Sequence, residues 1–268
     1  VFSVSNGIVI FCNDTDGWLY TLTSDAIHPK QITKPSQYRF ADFSIDHNCN
    51  RVICVAEYHF SEQGESEPTN KLVSVDLKTG TITDLLNGDD FYANPRLSPD
   101  GKHLAWISWN HPNMPWDNTQ LWLAKLDNAG QITLTEHMIG ISESSVIQPE
   151  WSPNGLLYYV CDQNGWWNLY RLDMKRRELS SEPIVSMSAE FGQPQWVFGM
   201  SNYGFISEDQ ICCFYIQNGV WQLARIDLSN EGNLFSYDCP WTDFSGTLSS
   251  NQFGVLLAAS SPTTFSSV

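Results

Sequence analysis

The sequence is short of positive charge: 14 Lys and Arg stand against 30 Asp and Glu, a formal net charge of −16 over 268 residues. A chain this acidic repels a phosphate backbone and an anionic bilayer alike, which argues against nucleic acid and membrane as partners. Long apolar runs are missing too. None approaches the roughly 20 residues of a spanning helix, and no charged, apolar, small-residue leader precedes the first strand-like segment. The expectation is a soluble chain with a cytoplasmic location. It begins VFSVSNG without a methionine, so the natural N-terminus is expected upstream.

Metal-ligand spacing is also absent. The seven cysteines at 12, 49, 54, 161, 212, 213 and 239 include no CxxC pair, and no histidine follows at zinc spacing. Cys12, Cys54, Cys161, Cys212 and Cys213 fall inside apolar, strand-like runs, where cysteine serves as a small buried hydrophobe and stays reduced. The histidines (His28, His47, His59, His103, His111, His137) are scattered over different loops and strands. That scatter argues against a metal-dependent enzyme acting on sugars, and no metal or other cofactor is expected.

Nucleophile machinery is the third absence. An α/β-hydrolase serine needs GxSxG on a strained strand-to-helix turn. The nearest string, GMSNYG at 199–204, has one residue too many before its second glycine and is read as part of a blade strand. No Walker motif, no dinucleotide fingerprint and no HExxH occur. The chain by itself is expected to be non-catalytic.

What is present is a folded composition, 42% hydrophobic and 13% aromatic with eleven Trp, and a repeat. NPRLSPDGKHLAWIS at 94–108 recurs as QPEWSPNGLLYYVC at 148–161, and more loosely as FADFSIDHNCNRVICV at 40–55 and QPQWVFGMSNYGFIS at 194–207. Phe43, Leu97, Trp151 and Trp196 are read as equivalent, at spacings of 54, 54 and 45. A second marker follows each copy, an alternating strand closing on Asp76, Asp127, Asp173 or Asp227. Two markers in constant order at this period signal a propeller. Tight-turn strings (PDG, PNG, KTG) separate the short strands, and no convincing amphipathic helix is found. The reading is all-β: a single propeller domain of four-stranded blades at about 1–34, 38–88, 90–139, 145–187, 191–237 and 241–268, the last incomplete.

In such a blade the loop between strands two and three emerges on the same face as the link to the next blade. Those segments are longer and richer in aromatic, acidic and histidine residues than the turns opposite, as functional loops tend to be. They supply the candidates: Glu57 and His59 in EYHFSEQGESEPTN, His111 and Trp116 in WNHPNMPWDNT, Trp166 and Trp167 in DQNGWW, and Glu190 in SMSAEFGQ. Each could instead be scaffold. The tryptophans could be plugs between blades, the histidines backbone-bonded loop residues, and the glutamates solvated carboxylates.

The strings RLSPDGKHLAWISWNHPNMPWDNTQLWLAKLD, QPEWSPNGLLYYVCDQNGWWNLYRLD and AEFGQPQWVFGMSNYGF resemble the N-terminal propeller of bacterial serine peptidases of the prolyl oligopeptidase family, of the dipeptidyl aminopeptidase or acylaminoacyl peptidase type. The resemblance runs over about residues 1–262. It implies an α/β-hydrolase domain elsewhere in the same polypeptide, carrying the Ser, Asp and His triad, and short peptides as substrates that the propeller admits and positions. No triad residue can be placed on this chain. It also implies a role for a propeller glutamate in holding the free amino terminus of the substrate, with Glu190 the first choice and Glu57 the second. The alternative left open is a stand-alone propeller resembling the TolB-like periplasmic group, acting by protein contact.

Overall fold

A computed structural model describes residues 2–59, 67–139, 143–173, 180–230 and 232–268. Every regular element among them is a strand. The strands form six antiparallel sheets in which sequence neighbours are sheet neighbours, five of four strands and one of three. These are the blades of a β-propeller. No helix of the described residues is long and apolar enough to cross a membrane.

The chain divides into two compact units. One comprises residues 1–112 and 121–137, the other 113–120 and 138–268. The first holds three sheets: β1 to β4 (Phe2–Ser5, Ile8–Cys12, Leu19–Thr23, Lys30–Gln31), β5 to β8 (Tyr38–Asp46, Arg51–Tyr58, Thr69–Asp76, Ile82–Leu86) and β9 to β12 (Phe91–Leu97, His103–Trp109, Gln120–Leu126, Ile132–Ile139). The second holds β13 to β16 (Val146–Trp151, Leu157–Cys161, Asn168–Asp173, Ser180–Pro183), β17 to β20 (Tyr203–Ser207, Gln210–Gln217, Val220–Asp227, Asn233–Ser236) and the three-stranded β21 to β23 (Asp243–Asn251, Gly254–Ser261, Thr264–Ser267).

Second strands such as β6 read as unbroken apolar runs because each is covered on both faces, and successive side chains point to opposite sides. In β6, Val52, Cys54 and Ala56 enter the core shared with the first sheet, while Ile53 and Val55 enter the core shared with the third. The same division recurs in β18. Ile211, Cys213 and Tyr215 pack toward β13 to β16, and Cys212 and Phe214 pack toward β21 to β23. All seven cysteines are free.

The repeated strings have local causes. Ser98 and Ser152 of the SPDG and SPNG copies play one part: the serine Oγ accepts the backbone N–H of His103 or Leu156 and donates to Asp100 or Asn154. Gly101 and Gly155 then turn the chain at φ of +71° and +81°, a region open to glycine. Three of the closing aspartates, Asp76, Asp127 and Asp227, are turn caps. Asp76 Oδ1 accepts N–H groups of Lys78 and Thr79, Asp127 Oδ1 those of Ala129 and Gln131, and Asp227 Oδ1 that of Ser229, the geometry by which Asp starts a reversal.

Two details of the sequence alignment are corrected. Each of the first strands β5, β9 and β13 carries a bulge whose leading residue has positive φ: Asp42 at 52°, Asn94 at 52° and Gln148 at 53°. Counting from these residues sets Ile45, not Phe43, level with Leu97 and Trp151. Trp196 is no counterpart at all. It lies seven residues before β17 and is 71% exposed. GMSNYG likewise lies mostly ahead of its strand, with only Tyr203 and Gly204 inside β17.

Bulge side chains tie one blade to the next. Asp42 Oδ2 accepts the Asn94 N–H at 2.5 Å and its Oδ1 accepts Arg96 Nη1 at 3.0 Å. In the second unit Gln148 Oε1 accepts the Asn202 N–H at 2.9 Å. Ser201 continues the pattern onto the last sheet, its N–H donating to Gly246 O and its carbonyl accepting from Leu248 N–H.

Candidate functional site

In the first unit, the link from β8 to β9 and the ends of the loops after β6 and β10 enclose a cavity of about 430 Å³. Glu57, Glu67, Asp89 and Asp90 bring four carboxylates to it, with His111 and the Phe91 ring on its wall. The wall is cross-braced. Asp90 N–H donates to Asn110 Oδ1 at 2.6 Å, Asn110 Nδ2 donates to Asp89 Oδ1 at 2.8 Å, and Asn70 Nδ2 donates to the Asp90 carbonyl at 2.7 Å. Phe91 stacks on Trp109 at 5.3 Å and meets the His111 ring edge-on at 4.9 Å.

Three of the sequence candidates come together here. His59 Nε2 lies 3.3 Å from Glu57 Oε2, and His111 Nε2 lies 3.1 Å from Glu67 Oε2 while the His111 backbone N–H donates to Asp90 Oδ2 at 2.9 Å. Glu67, Asp89 and Asp90 were not singled out from the sequence. The adjacent acids in NGDDFYAN were visible, but nothing in one dimension placed them opposite Glu57. Among the described residues no Lys or Arg lines the cavity, so their field favours a cation such as an ammonium.

The other candidates lie in the second unit. Glu190 is held by its backbone, pairing with Ile216 through N–H and carbonyl at 2.9 Å each, and its Oε2 accepts the Trp167 N–H at 2.8 Å. One carboxylate oxygen thus fixes the loop. Trp167 itself is scaffold: its ring packs against the core formed by Ile147, Val160 and Phe191, and its Nε1 is buried without a hydrogen-bond partner among the described residues. Trp166 stays 40% exposed. Trp116 packs against Trp196 with ring centroids 4.4 Å apart and the planes tilted by 47°, a partner that the sequence had read as equivalent to Phe43, Leu97 and Trp151.

Burial pushes the thiols of Cys161 and Cys212 up to about 11, and those of Cys54 and Cys213 higher still, so these four stay protonated at neutral pH and offer no nucleophile. Among the described residues no group of three or more His, Cys, Asp and Glu is placed to hold a metal ion.

No protein-family model and no curated protein matches the chain. Solved structures do. A puromycin-hydrolyzing peptidase of Mycobacterium tuberculosis is 27% identical at a TM-score of 0.87, over 100% of this chain and 42% of the peptidase. A puromycin hydrolase is 29% identical at a TM-score of 0.86, over 98% of this chain and 42% of the hydrolase. Prolyl oligopeptidase B of Galerina marginata, 12% identical at a TM-score of 0.74 over 97% of this chain and 38% of its own, shares the fold alone. The same holds for TolB of Acinetobacter baumannii, 15% identical at 0.57 over 94% of this chain and 57% of its own. The chain thus spans less than half the length of the peptidases it matches throughout. With the motif strings already quoted, the chain is similar over its whole length to the part of these puromycin-hydrolyzing peptidases that it covers, and shares its propeller fold with prolyl oligopeptidase B.

Proposed function

We propose that this propeller gates and positions substrate for a serine peptidase acting on short peptides or peptide-like amides, with the nucleophile in an α/β-hydrolase domain of the same polypeptide. The observation that carries the proposal is the match over essentially the whole chain to 42% of two puromycin-hydrolysing enzymes. Such a substrate carries a free α-amine. The cavity formed by Glu57, Glu67, Asp89 and Asp90 suits an ammonium, and Glu190 offers a second anchored carboxylate. Seven unpaired thiols support a cytoplasmic location.

The test is steady-state hydrolysis by the full polypeptide. Peptides of a few residues should be cleaved, and the same sequence inside a folded protein should not. Glu57→Gln or Glu190→Gln should raise KM for a free-amine peptide roughly tenfold or more, the worth of a charge-assisted hydrogen bond, and leave its N-acetylated counterpart unchanged. Equal loss on both substrates would remove the amine-holding role. Cleavage of the embedded sequence would remove the gating role.

A further inference from the structure

The fifth sheet departs from the others in its first strand. In the second, third and fourth sheets the bulge adds one residue. Between Ala41↔Val55 and Ser44↔Ile53, for example, the first strand advances three residues while its partner moves two. In the fifth sheet the pairs are Glu190↔Ile216 and Tyr203↔Cys213. The first strand there advances thirteen residues while its partner moves three, leaving ten extra. The excursion is Gly192–Ser201. It leaves from a first strand, and within each unit first strands pack side by side: β1 with β5 and β5 with β9, and β17 with β21.

Both feet of the excursion are fixed. Gly192 is clasped so closely by Ile147, Val160 and Trp167 that a Cβ there would meet Ile147 Cδ1 at 2.7 Å, and Ser201 is bonded into the last sheet. Its interior is braced by Gln193 Nε2 on Asn202 Oδ1 at 2.9 Å and by Trp196 N–H on the Pro194 carbonyl at 3.0 Å. The tip is apolar and bare: Trp196, Val197 and Phe198 are 71%, 67% and 40% exposed. The Trp116 ring packs against Trp196, tilted by 47°. Together they present roughly 300 to 400 Å² of apolar surface, in the range of the largest patch on a typical monomer, which is often functional.

Three consecutive exposed side chains make a projection and not a pocket, so a surface with a recess suits them better than a small ligand, which needs a concave site. No charged residue falls between Phe191 and Tyr203, in a chain that is 16% charged, so the partner surface need carry no charge. Preformed geometry lowers the ordering cost of docking. We infer that Trp196, Val197 and Phe198, backed by Trp116, seat in an apolar recess of the hydrolase domain of the same polypeptide. The inference rests on the proposed function, and the length that the matched peptidases have beyond this chain supplies the occupant.

The test is hydroxyl-radical footprinting of the full polypeptide, native and in urea, beside fluorophosphonate labelling of the same sample. Trp196 should show a native protection factor comparable to that of Trp151, which is 9% exposed in the blade itself. A protection factor below about two, in protein that labels with fluorophosphonate, would overturn the docking contact and leave the peptidase reading standing. Protection that appears only when a peptide occupies the active site would overturn it in favour of substrate, and protection that grows with protein concentration in favour of a second copy. Absence of labelling would remove the peptidase reading and this contact with it.

Discussion

Replacement of Asp42 probes the tie that joins neighbouring blades. The side chain is 5% exposed and its backbone has a φ of +52°. It serves two donors on the next blade, the buried Asn94 N–H and Arg96 Nη1. Asp42→Ala leaves the Asn94 N–H without its acceptor, a cost of about 1–3 kcal/mol. It also breaks a largely buried ion pair from one side, about 3–5 kcal/mol for full burial, and less here because the Arg96 side chain is 20% exposed and Nη1 also reaches the Pro95 carbonyl. Positive φ adds about 1 kcal/mol for Ala, which tolerates that region less well than Asp. These contributions overlap, and together they come to about 4 kcal/mol against a typical total of 5–15. Asp42→Asn keeps an acceptor and the backbone tolerance and should lose about 1–2 kcal/mol. Asp42→Gly relieves φ alone and should fall between the two. The assay is equilibrium urea unfolding. With an m-value of about 3 kcal/mol/M, the midpoint should drop by roughly 1.3 M for Ala and roughly 0.5 M for Asn. Midpoints for Ala and Asn that coincide would refute the claim that this carboxylate holds the blades together.

Other consequences are as specific. Gly192→Ala should destabilise by about 1–3 kcal/mol through overpacking, because its Cβ would sit 2.7 Å from Ile147 Cδ1; adding Ile147→Val should recover part of the lost melting temperature. Arg51→Met strands the Asp46 carboxylate, 1% exposed and now paired at 2.9 Å, and should cost about 3–4 kcal/mol in urea unfolding. With native protein at pH 8, a thiol reagent should modify no more than Cys12, Cys49 and Cys239, while Cys54, Cys161, Cys212 and Cys213, buried and shifted upward, should react only after unfolding. Hydrogen bonds from the Thr79 N–H and hydroxyl hold the Asp76 carboxyl below its ordinary value of 3.8. Its contribution is therefore present above that pH and lost as pH falls through the lower folded value, so Asp76→Asn should flatten the acid limb of a melting-temperature profile below pH 4.

The fold class was legible because each cause of the repeat is local. Ser98 and Ser152 cap tight turns, Asp76, Asp127 and Asp227 start reversals, and second strands such as β6 alternate between two cores. Failure came where a local string was reused in another context. QPQW at 193–196 differs from QPEW at 148–151 by one letter, yet the latter ends a first strand and the former lies in an excursion. What separates them is backbone conformation, with Asp42, Asn94 and Gln148 at positive φ and Gln193 not, which the letters alone do not show. Of the residues at the cavity, Glu57 and His111 were candidates from loop length and residue type, as was His59 beside Glu57, whereas Glu67, Asp89 and Asp90 come to it only through tertiary proximity.

The central claim, a propeller that serves a serine nucleophile carried elsewhere in the same polypeptide, is tested most directly by mapping the site of fluorophosphonate labelling in the natural full-length protein. The account predicts one modified serine, outside residues 1–268. A modified serine within these residues, or none anywhere in the protein, would contradict it.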